Sequence, residues 1–429
     1  MNISHKRGVL SLSPIIVLLV VYLAGSLLAG DFYRIPIGVA FVTAAIYAIA
    51  ITRGESLYKR VEIFSQGAAN SNIMYMVWIF VLAGVFAESA KQMGAVDATV
   101  QFTLHFVPDA FLPAGIFLAA CFISMAVGTS VGTIVALTPV VTALAEQIGC
   151  DVAWAVAIVV GGAFFGDNLS FISDTTIAAT QSQGCKMRDK FRTNLLIVLP
   201  SAIVTLMIYL FYDISEGTVA VSDNAEWFRT LPYMVVIGCA LSGMNVLGVL
   251  MIGIFVANII GFACGSFDVV SAFAAAGEGM SSMLELILVT LLAGGLMNVV
   301  KSGGGFDYLI ALLTRRIGGK RSAEISIVAL TSLINLCTAN NTIAILTAGP
   351  MARDIATRFG VSPRRSASLM DTASCFVQGM IPYGAQLLMA SGLASVSPLL
   401  IIPHLYYPMG IGIMVVLAVV FQFPRERRA

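Results

Sequence analysis

The chain predicts an all-α polytopic membrane protein: about ten transmembrane helices plus two re-entrant hairpins, laid out as two inverted repeats with broken helices. Three observations predict this. Of 429 residues, 58% are hydrophobic and only 11% charged, with a mean hydropathy of +0.92, more apolar surface than a soluble fold of this length could hide. Apolar runs of about 17–25 residues, the length that crosses a bilayer, recur from end to end. Similar stretches also recur at one spacing between the two halves.

Ten apolar segments are long enough to be spans: roughly 12–29, 35–52, 73–90, 153–180, 194–212, 231–244, 246–265, 284–300, 366–390 and 398–421. The first follows the basic residues of MNISHKRG and lacks a small-residue cleavage site, so it is expected to be retained. Two further apolar stretches, 111–148 and 324–358, are interrupted midway by polar residues. Their arms of about 15 residues are short for a span at 1.5 Å per residue, which predicts two re-entrant hairpins.

Charge orients these elements. With the N-terminus in the cytoplasm, inside segments hold Lys6, Arg7, Arg53, Lys59, Arg60, Lys186, Arg188, Lys190, Arg192, Arg315, Arg316, Lys320, Arg321, Arg353, Arg358, Arg364, Arg365, Arg425, Arg427 and Arg428, twenty of the 24 basic residues. The acidic loop 213–230 and the segment 266–283 fall outside. Basic residues hold loops on the cytoplasmic side, so both termini are expected there. The basic clusters are short and lie between apolar spans, which excludes a nucleic-acid surface. Seven cysteines stand singly, and His5, His105 and His404 are dispersed, so no metal-ligand spacing appears.

The internal repeat has an offset of about 210 residues. LAGVFAESAKQMGAVD (82–97) lies over LAGGLMNVVKSGGGFD (292–307), aligning Lys91 with Lys301 and Asp97 with Asp307. Thr133–Thr138 lies over Thr342–Thr347 one residue out of register. The expected halves are 1–215 and 216–429. Each holds an odd number of spans plus one hairpin, so the second enters the membrane from the opposite side. That is the architecture of secondary transporters, whose sites form near the midplane from discontinuous helices.

Four polar breaks interrupt the apolar segments at matching places: GTSVGT (128–133), GDNLSFISDTT (166–176), TANNT (338–342) and VQGMIPYG (377–384). Non-helical backbone survives at membrane depth only inside protein or beside a water-filled cavity. A broken helix also frees carbonyls suited to a cation and N–H groups suited to an anion. Asp167, Asn168, Ser170, Ser173, Asp174 and Thr175 add hard oxygen donors of the kind sodium prefers. Na+ is expected at Asp167, Ser170 and Asp174. A carboxylate taken out of water gains proton affinity, so one such group can hold Na+ or H+ in turn. Asp371, in SASLMDTASC, is the matching intramembrane carboxylate of the second half, costly there without a function. Thr129, Ser130 and Thr133 at the first hairpin tip, Asn340, Asn341 and Thr342 at the second, and Gln378 and Tyr383 in the fourth break are candidate substrate contacts.

These stretches, FFGDNLSFISDTT, GTSVGT and TANNT…GP…RRSASLMDTASCFVQGMIPYGAQ, resemble the NhaC-type sodium/proton antiporter family of the ion transporter superfamily. The resemblance covers about residues 60–420. It departs at Phe171, where the family pattern carries proline. It implies a bacterial inner-membrane carrier, a homodimer, that exchanges Na+ for H+ or couples either ion to amino or organic acids. No cofactor is implied; Na+ and H+ are the coupling ions. It also implies that segments 111–180 and 324–390 move against a scaffold of 1–110, 194–323 and 398–429.

The leading reading is therefore a Na+/H+ antiporter by alternating access. The runner-up is a Na+- or H+-coupled amino-acid or organic-acid transporter of the same fold, with helix N-termini holding the carboxylate because no arginine is evident in the core. An intramembrane aspartyl protease using Asp167 and Asp371 lacks its glycine lead-in, because Phe164 stands there. A channel fits paired hairpins less well than alternating access. The protease reading also leaves the repeat without a role.

Overall fold

A computed structural model describes residues 5–29, 37–52, 56–106, 108, 111–170, 173–212, 226–314 and 317–424, and the described residues contain helices and no strand. Phe171 lies outside them, as do the acidic residues of 213–225. The first half runs α1 (His5–Ala29), α2 (Ile37–Ile51), α3 (Leu57–Ala68), α4 (Ser71–Gln92), α5 (Ala95–Phe106), α6 (Leu112–Val127), α7 (Ser130–Ile148), α8 (Val152–Leu169), α9 (Asp174–Gln183) and α10 (Met187–Leu210). The second runs α11 (Leu231–Leu241), α12 (Val246–Ala263), α13 (Val269–Ser282), α14 (Leu284–Ser302), α15 (Gly305–Thr314), α16 (Lys320–Thr338), α17 (Asn341–Phe359), α18 (Pro363–Met380), α19 (Ala385–Ala394), α20 (Pro398–Ile401) and α21 (Tyr406–Phe421). The order of elements repeats at the spacing found in the sequence. Helix α7 begins at Ser130 and α17 at Asn341, α8 at Val152 and α18 at Pro363, and α9 at Asp174 and α19 at Ala385.

Six described helical segments are long and apolar enough to cross a membrane: Ile73–Gln92, Ser130–Ile148, Val152–Gln183, Met187–Leu210, Val246–Ala263 and Leu284–Ser302. Residues 363–394 and 398–404 form a seventh if counted as one span, bent by 104°. The expected span at 12–29 lies in α1, and those at 35–52, 231–244 and 398–421 correspond to shorter helices. The boundary near Asn245 is a real break, because the Asn245 side chain accepts from Leu247 N and caps α12. Three of the four hairpin arms are longer than expected. Helices α7, α16 and α17 have 19 residues each, about 28 Å at 1.5 Å per residue. Both hairpins are closed by the packing of α6 on α7 and of α16 on α17.

The segment 266–283, expected as an outside loop, is instead the helix α13. The Asp268 side chain caps it by accepting from Ser271 N, and Ser271 reaches back to Asp268 N. Val270 and Phe273 are exposed on its outer side, while Ala275 and Gly279 are buried against α4. A Cβ on Gly84 would stand 2.1 Å from the Gly279 carbonyl, and one on Gly279 would stand 2.3 Å from the Gly84 carbonyl. The repeat-related pair does the same between α3 and α14: a Cβ on Gly67 would stand 2.4 Å from the Gly294 carbonyl. Small residues thus bring these helices into backbone contact, as in membrane helix pairs generally. Gly279→Ala should therefore lower stability by about 1–3 kcal/mol through overpacking, read as an earlier thermal-unfolding transition in detergent.

Two of the basic residues assigned to inside segments turn into the protein rather than toward water. Lys190 and Arg365 are both 1% exposed. Each sits in the first turns of a helix and turns inward to a buried acid: Lys190 Nζ to Asp371 Oδ2 at 2.6 Å and Arg365 Nε to Glu324 Oε1 at 2.7 Å. Their positions in the chain resemble loop positions, but an unpaired buried acid would be far more costly than the burial of these cations as pairs.

Candidate functional site

Helix α8 carries the site because it can lie close to α6. A Cβ on Gly162 would stand 2.5 Å from Ala120 Cβ, and one on Gly166 2.1 Å from Ser124 Oγ. Ser124 then donates to the Ala163 carbonyl at 2.6 Å. Asp167, the next residue after Gly166, lies about halfway along Val152–Gln183 and is 4% exposed. Helix α8 ends two residues later, and α9 begins at Asp174.

The tip of the first hairpin closes on this carboxylate. Gly128 ends α6 with φ +74°, and α7 starts at Ser130. Ser130 N donates to Asp167 Oδ1 at 3.0 Å, and Ser130 Oγ donates to Oδ2 at 2.6 Å. An N–H at a helix start is a natural partner for a carboxylate. Thr175 Oγ1 donates to the Asp167 carbonyl at 3.1 Å and pairs with Ser173 Oγ at 2.7 Å, holding the two sides of the break together.

Asp167 faces a cavity of about 450 Å³. Its wall brings together Thr129, Ser130, Asp167, Ser173, Asp174 and Thr175 from the first half and Asn340, Asn341 and Thr342 from the second. Asn341 is buried, and its Nδ2 has no hydrogen-bond partner. Asp174 is exposed and is the first residue of α9. Neither Asp167 nor Asp174 has a salt-bridge partner among the described residues. The cavity therefore presents carboxylate, hydroxyl and amide oxygens with uncompensated negative charge, a donor set for a small hard cation. Carboxylate oxygens have spare lone pairs, so the two bonds from Ser130 leave Asp167 able to accept more.

The other expected residues lie elsewhere. Ser170 donates to the Met125 carbonyl and does not line the cavity. Asn168 donates to Phe164 O and Tyr407 Oη. Thr133 bonds the Thr129 carbonyl of its own helix, and Tyr383 donates to Leu336 O. Gln378 donates to Ala339 O and Gln386 Oε1. Asp371 does not line the cavity; it stands behind it in a fully buried network that also touches Thr175. Lys190 Nζ binds Asp371 Oδ2, the Asn168 carbonyl at 2.9 Å and Thr176 Oγ1 at 2.8 Å. Asn194 Nδ2 donates to the same Asn168 carbonyl and to Asp371, while Asn194 Oδ1 accepts from Ser368 and Thr372. The broken end of α8 does attract a cation, as a freed carbonyl should, and that cation is the Lys190 ammonium.

Residues that sequence reasoning missed are Tyr75, Asn245, Gln386, Lys190 and Asn194. Tyr75 Oη donates to Asn245 Oδ1 at 3.0 Å across the cavity wall. Lys190 and Asn194 carried a signal: they stand one turn apart on α10, and Ser368, Asp371 and Thr372 form a matching polar stripe on α18.

A model of the Na+/H+ antiporter family matches residues 7–214 and 229–423. The chain belongs to that family. The antiporter chain is 25% identical over 341 residues to the Na(+)/H(+) antiporter NhaC of Alkalihalophilus pseudofirmus, covering 72% of this chain and 73% of that protein. It is 21% identical over 431 residues to the malate-2H(+)/Na(+)-lactate antiporter of Bacillus subtilis, covering 92% of each. Among solved structures, the YdaH transporter of Alcanivorax borkumensis aligns over 85% of this chain and 88% of its own, at TM-score 0.40 and 15% identity. The antiporter's family and its apolar helices make it an integral membrane protein.

Proposed function

We propose that this antiporter exchanges Na+ for H+ at Asp167 by alternating access. The observation that carries this reading is the Asp167 carboxylate, which is buried in mid-span, held by one hairpin tip and open to a cavity shared with the other. Na+ bound there draws on Asp167 and on oxygens of Thr129, Ser173, Thr175 and Asn341; a proton on Asp167 removes the charge that holds it. Since Ser170 is turned to Met125, it is not assigned as a ligand. The hairpins and broken helices, 111–180 and 324–390, move as the transport core against 1–110, 194–323 and 398–429. The repeats divide at about residue 215, and both termini face the cytoplasm of a bacterial inner membrane, the side that Arg188, Arg192, Arg353 and Arg364 favour.

A second reading draws support from the size of the cavity. About 450 Å³ exceeds what a bare cation needs and falls in the range of small-molecule sites. The starts of α7 and α17 line it together with the unpaired Asn341 amide, and helix starts suit a carboxylate. The malate–lactate relative makes small organic acids the natural candidates. Purified protein in liposomes carrying a pH dye separates the readings when challenged with Na+, Li+ and K+, and then with malate, lactate and an amino-acid panel. Na+-driven alkalinisation or acidification without any organic acid supports cation exchange. Flux that requires an organic acid supports the second reading, and no flux with any solute refutes both.

A further inference from the structure

A single chain of hydrogen bonds joins Asp167 to the tip of the second hairpin. Gln378 Nε2 donates to the Ala339 carbonyl at 2.9 Å and to Gln386 Oε1 at 2.8 Å. Gln386 Nε2 donates to Ser130 Oγ at 3.0 Å, and Ser130 Oγ donates to Asp167 Oδ2 at 2.6 Å. Ala339 caps α16 in the left-handed region, φ +48°, and is the tip residue next to Asn340. Gln378 stands two residues before the end of α18, and Gln386 is the second residue of α19, so the chain also spans the second half's break. Gln378 and Gln386 are 1% and 4% exposed.

The polarity of this chain has no freedom at its ends. A carbonyl only accepts, so Ala339 O requires the NH2 of Gln378. Gln378 therefore offers its NH2 to Gln386 too, Gln386 must answer with its oxygen, and its own NH2 goes to Ser130. The Ser130 hydroxyl, already accepting, has its one proton left for Asp167. The other carboxylate oxygen, Oδ1, accepts from Ser130 N, which cannot reverse. Every donor thus points at Asp167, and the arrangement is that of an ionised carboxylate.

A proton arriving on Oδ2 puts two hydrogens between Asp167 and Ser130. The Ser130 hydroxyl must then turn away and needs a new acceptor. Gln386 supplies one by turning its amide, which presents NH2 to Gln378. Gln378 Oε1 is buried without a partner and would accept it once that amide turns as well. Gly384 leaves room for this, since a Cβ there would stand 2.9 Å from Gln378 Nε2. The turned Gln378 no longer donates to Ala339 O. We propose that Gln386 and Gln378 are positioning residues that transmit the protonation state of Asp167 to the second hairpin tip, releasing the Ala339 carbonyl when the proton binds.

The inference rests on Asp167 as the proton-carrying group of the proposed function. Other titratable groups face Asp167: Asp174 on α9, and Asp371 and Cys375 on α18. Lys190 on α10 pairs with Asp371. None of these belongs to the relay, so relay variants leave them in place.

The test is an infrared titration of purified protein, with the Asp167 carboxyl band assigned by difference from Asp167→Asn, alongside the pH profile of exchange in liposomes. Gln386→Leu removes the donor that orients Ser130. Gln386→Met removes the same donor without adding a charge, packs in nearly the same space and guards against a folding failure of the leucine variant. In both, the Asp167 titration and the midpoint of exchange should move together to higher pH by about one unit, the size of a single hydrogen bond lost to an ionised group. A purely structural role would lower the rate and leave both midpoints in place, and that result overturns the relay. If the wild-type band titrates but Na+ does not shift its midpoint, the ion-exchange reading fails instead. The relay still stands or falls on the variants' midpoints.

Discussion

Asp167→Asn should abolish Na+-driven proton flux, bringing it to the level of empty liposomes. The substitution keeps the shape and an acceptor for Ser130, so the hairpin tip has a partner and the protein should fold. What it removes is, among the described residues, the one cavity-facing carboxylate that is buried and paired with a hairpin tip. An amide neither binds a transported proton nor supplies the charge that draws a cation out of water. Asp174→Asn is expected to act differently. Asp174 is exposed at the start of α9, where water screens its charge. Its loss should weaken apparent Na+ affinity a few-fold and leave exchange in place. Loss of flux in Asp174→Asn with retention in Asp167→Asn would reverse the assignment. Both variants are read in the same pH-dye liposomes, with equal protein reconstitution checked by gel.

Lys190→Ala should cause the largest loss of stability of any single change considered. The Lys190 ammonium has three oxygen partners within 2.9 Å and joins α8, α9 and α18. Removing it leaves the Asp371 carboxylate fully buried with Thr175 and the longer Asn194 contact, at 3.3 Å, and no charged partner. Breaking a buried pair in this way costs about 3–5 kcal/mol, enough to deplete folded protein in the membrane. Neutralising both partners, as in Lys190→Met with Asp371→Asn, should recover a large part of that loss. The measurement is thermal unfolding in detergent of both single variants and the double variant, combined as a double-mutant cycle. Additive losses would show that the pair is not coupled.

Much of the site was legible because polarity inside an apolar run is conspicuous and needs a reason. The four breaks were found that way, and three of them, together with the tip residues Ser130 and Asn341 and the carboxylate Asp167, meet at one cavity. The fourth break joins through Gln386 rather than through the expected Gln378 and Tyr383. Side-chain direction was not legible. Lys190 and Arg365 follow loops and look like cytoplasmic anchors, yet both turn toward buried acids. Ser170 and Asn168 sit beside Asp167 in sequence, but the end of α8 sends their side chains to Met125 and Tyr407. The helix α13 was missed because 14 residues rich in alanine, glycine and serine fall short of a span. Its capping residues, Asp268 and Ser271, were the signal available. Tyr75 and Asn245 reach the cavity from elements distant in sequence, and nothing local marks them.

Proton release on Na+ binding probes the Asp167 site without transport, membrane or substrate panel. Purified protein in weakly buffered detergent near neutral pH is mixed with Na+, and the pH is followed. If one carboxylate holds either ion, each Na+ bound expels a proton, and Asp167→Asn expels none. Na+ binding with no proton released, or the same release from Asp167→Asn as from the wild type, would mean that the two ions do not compete at Asp167.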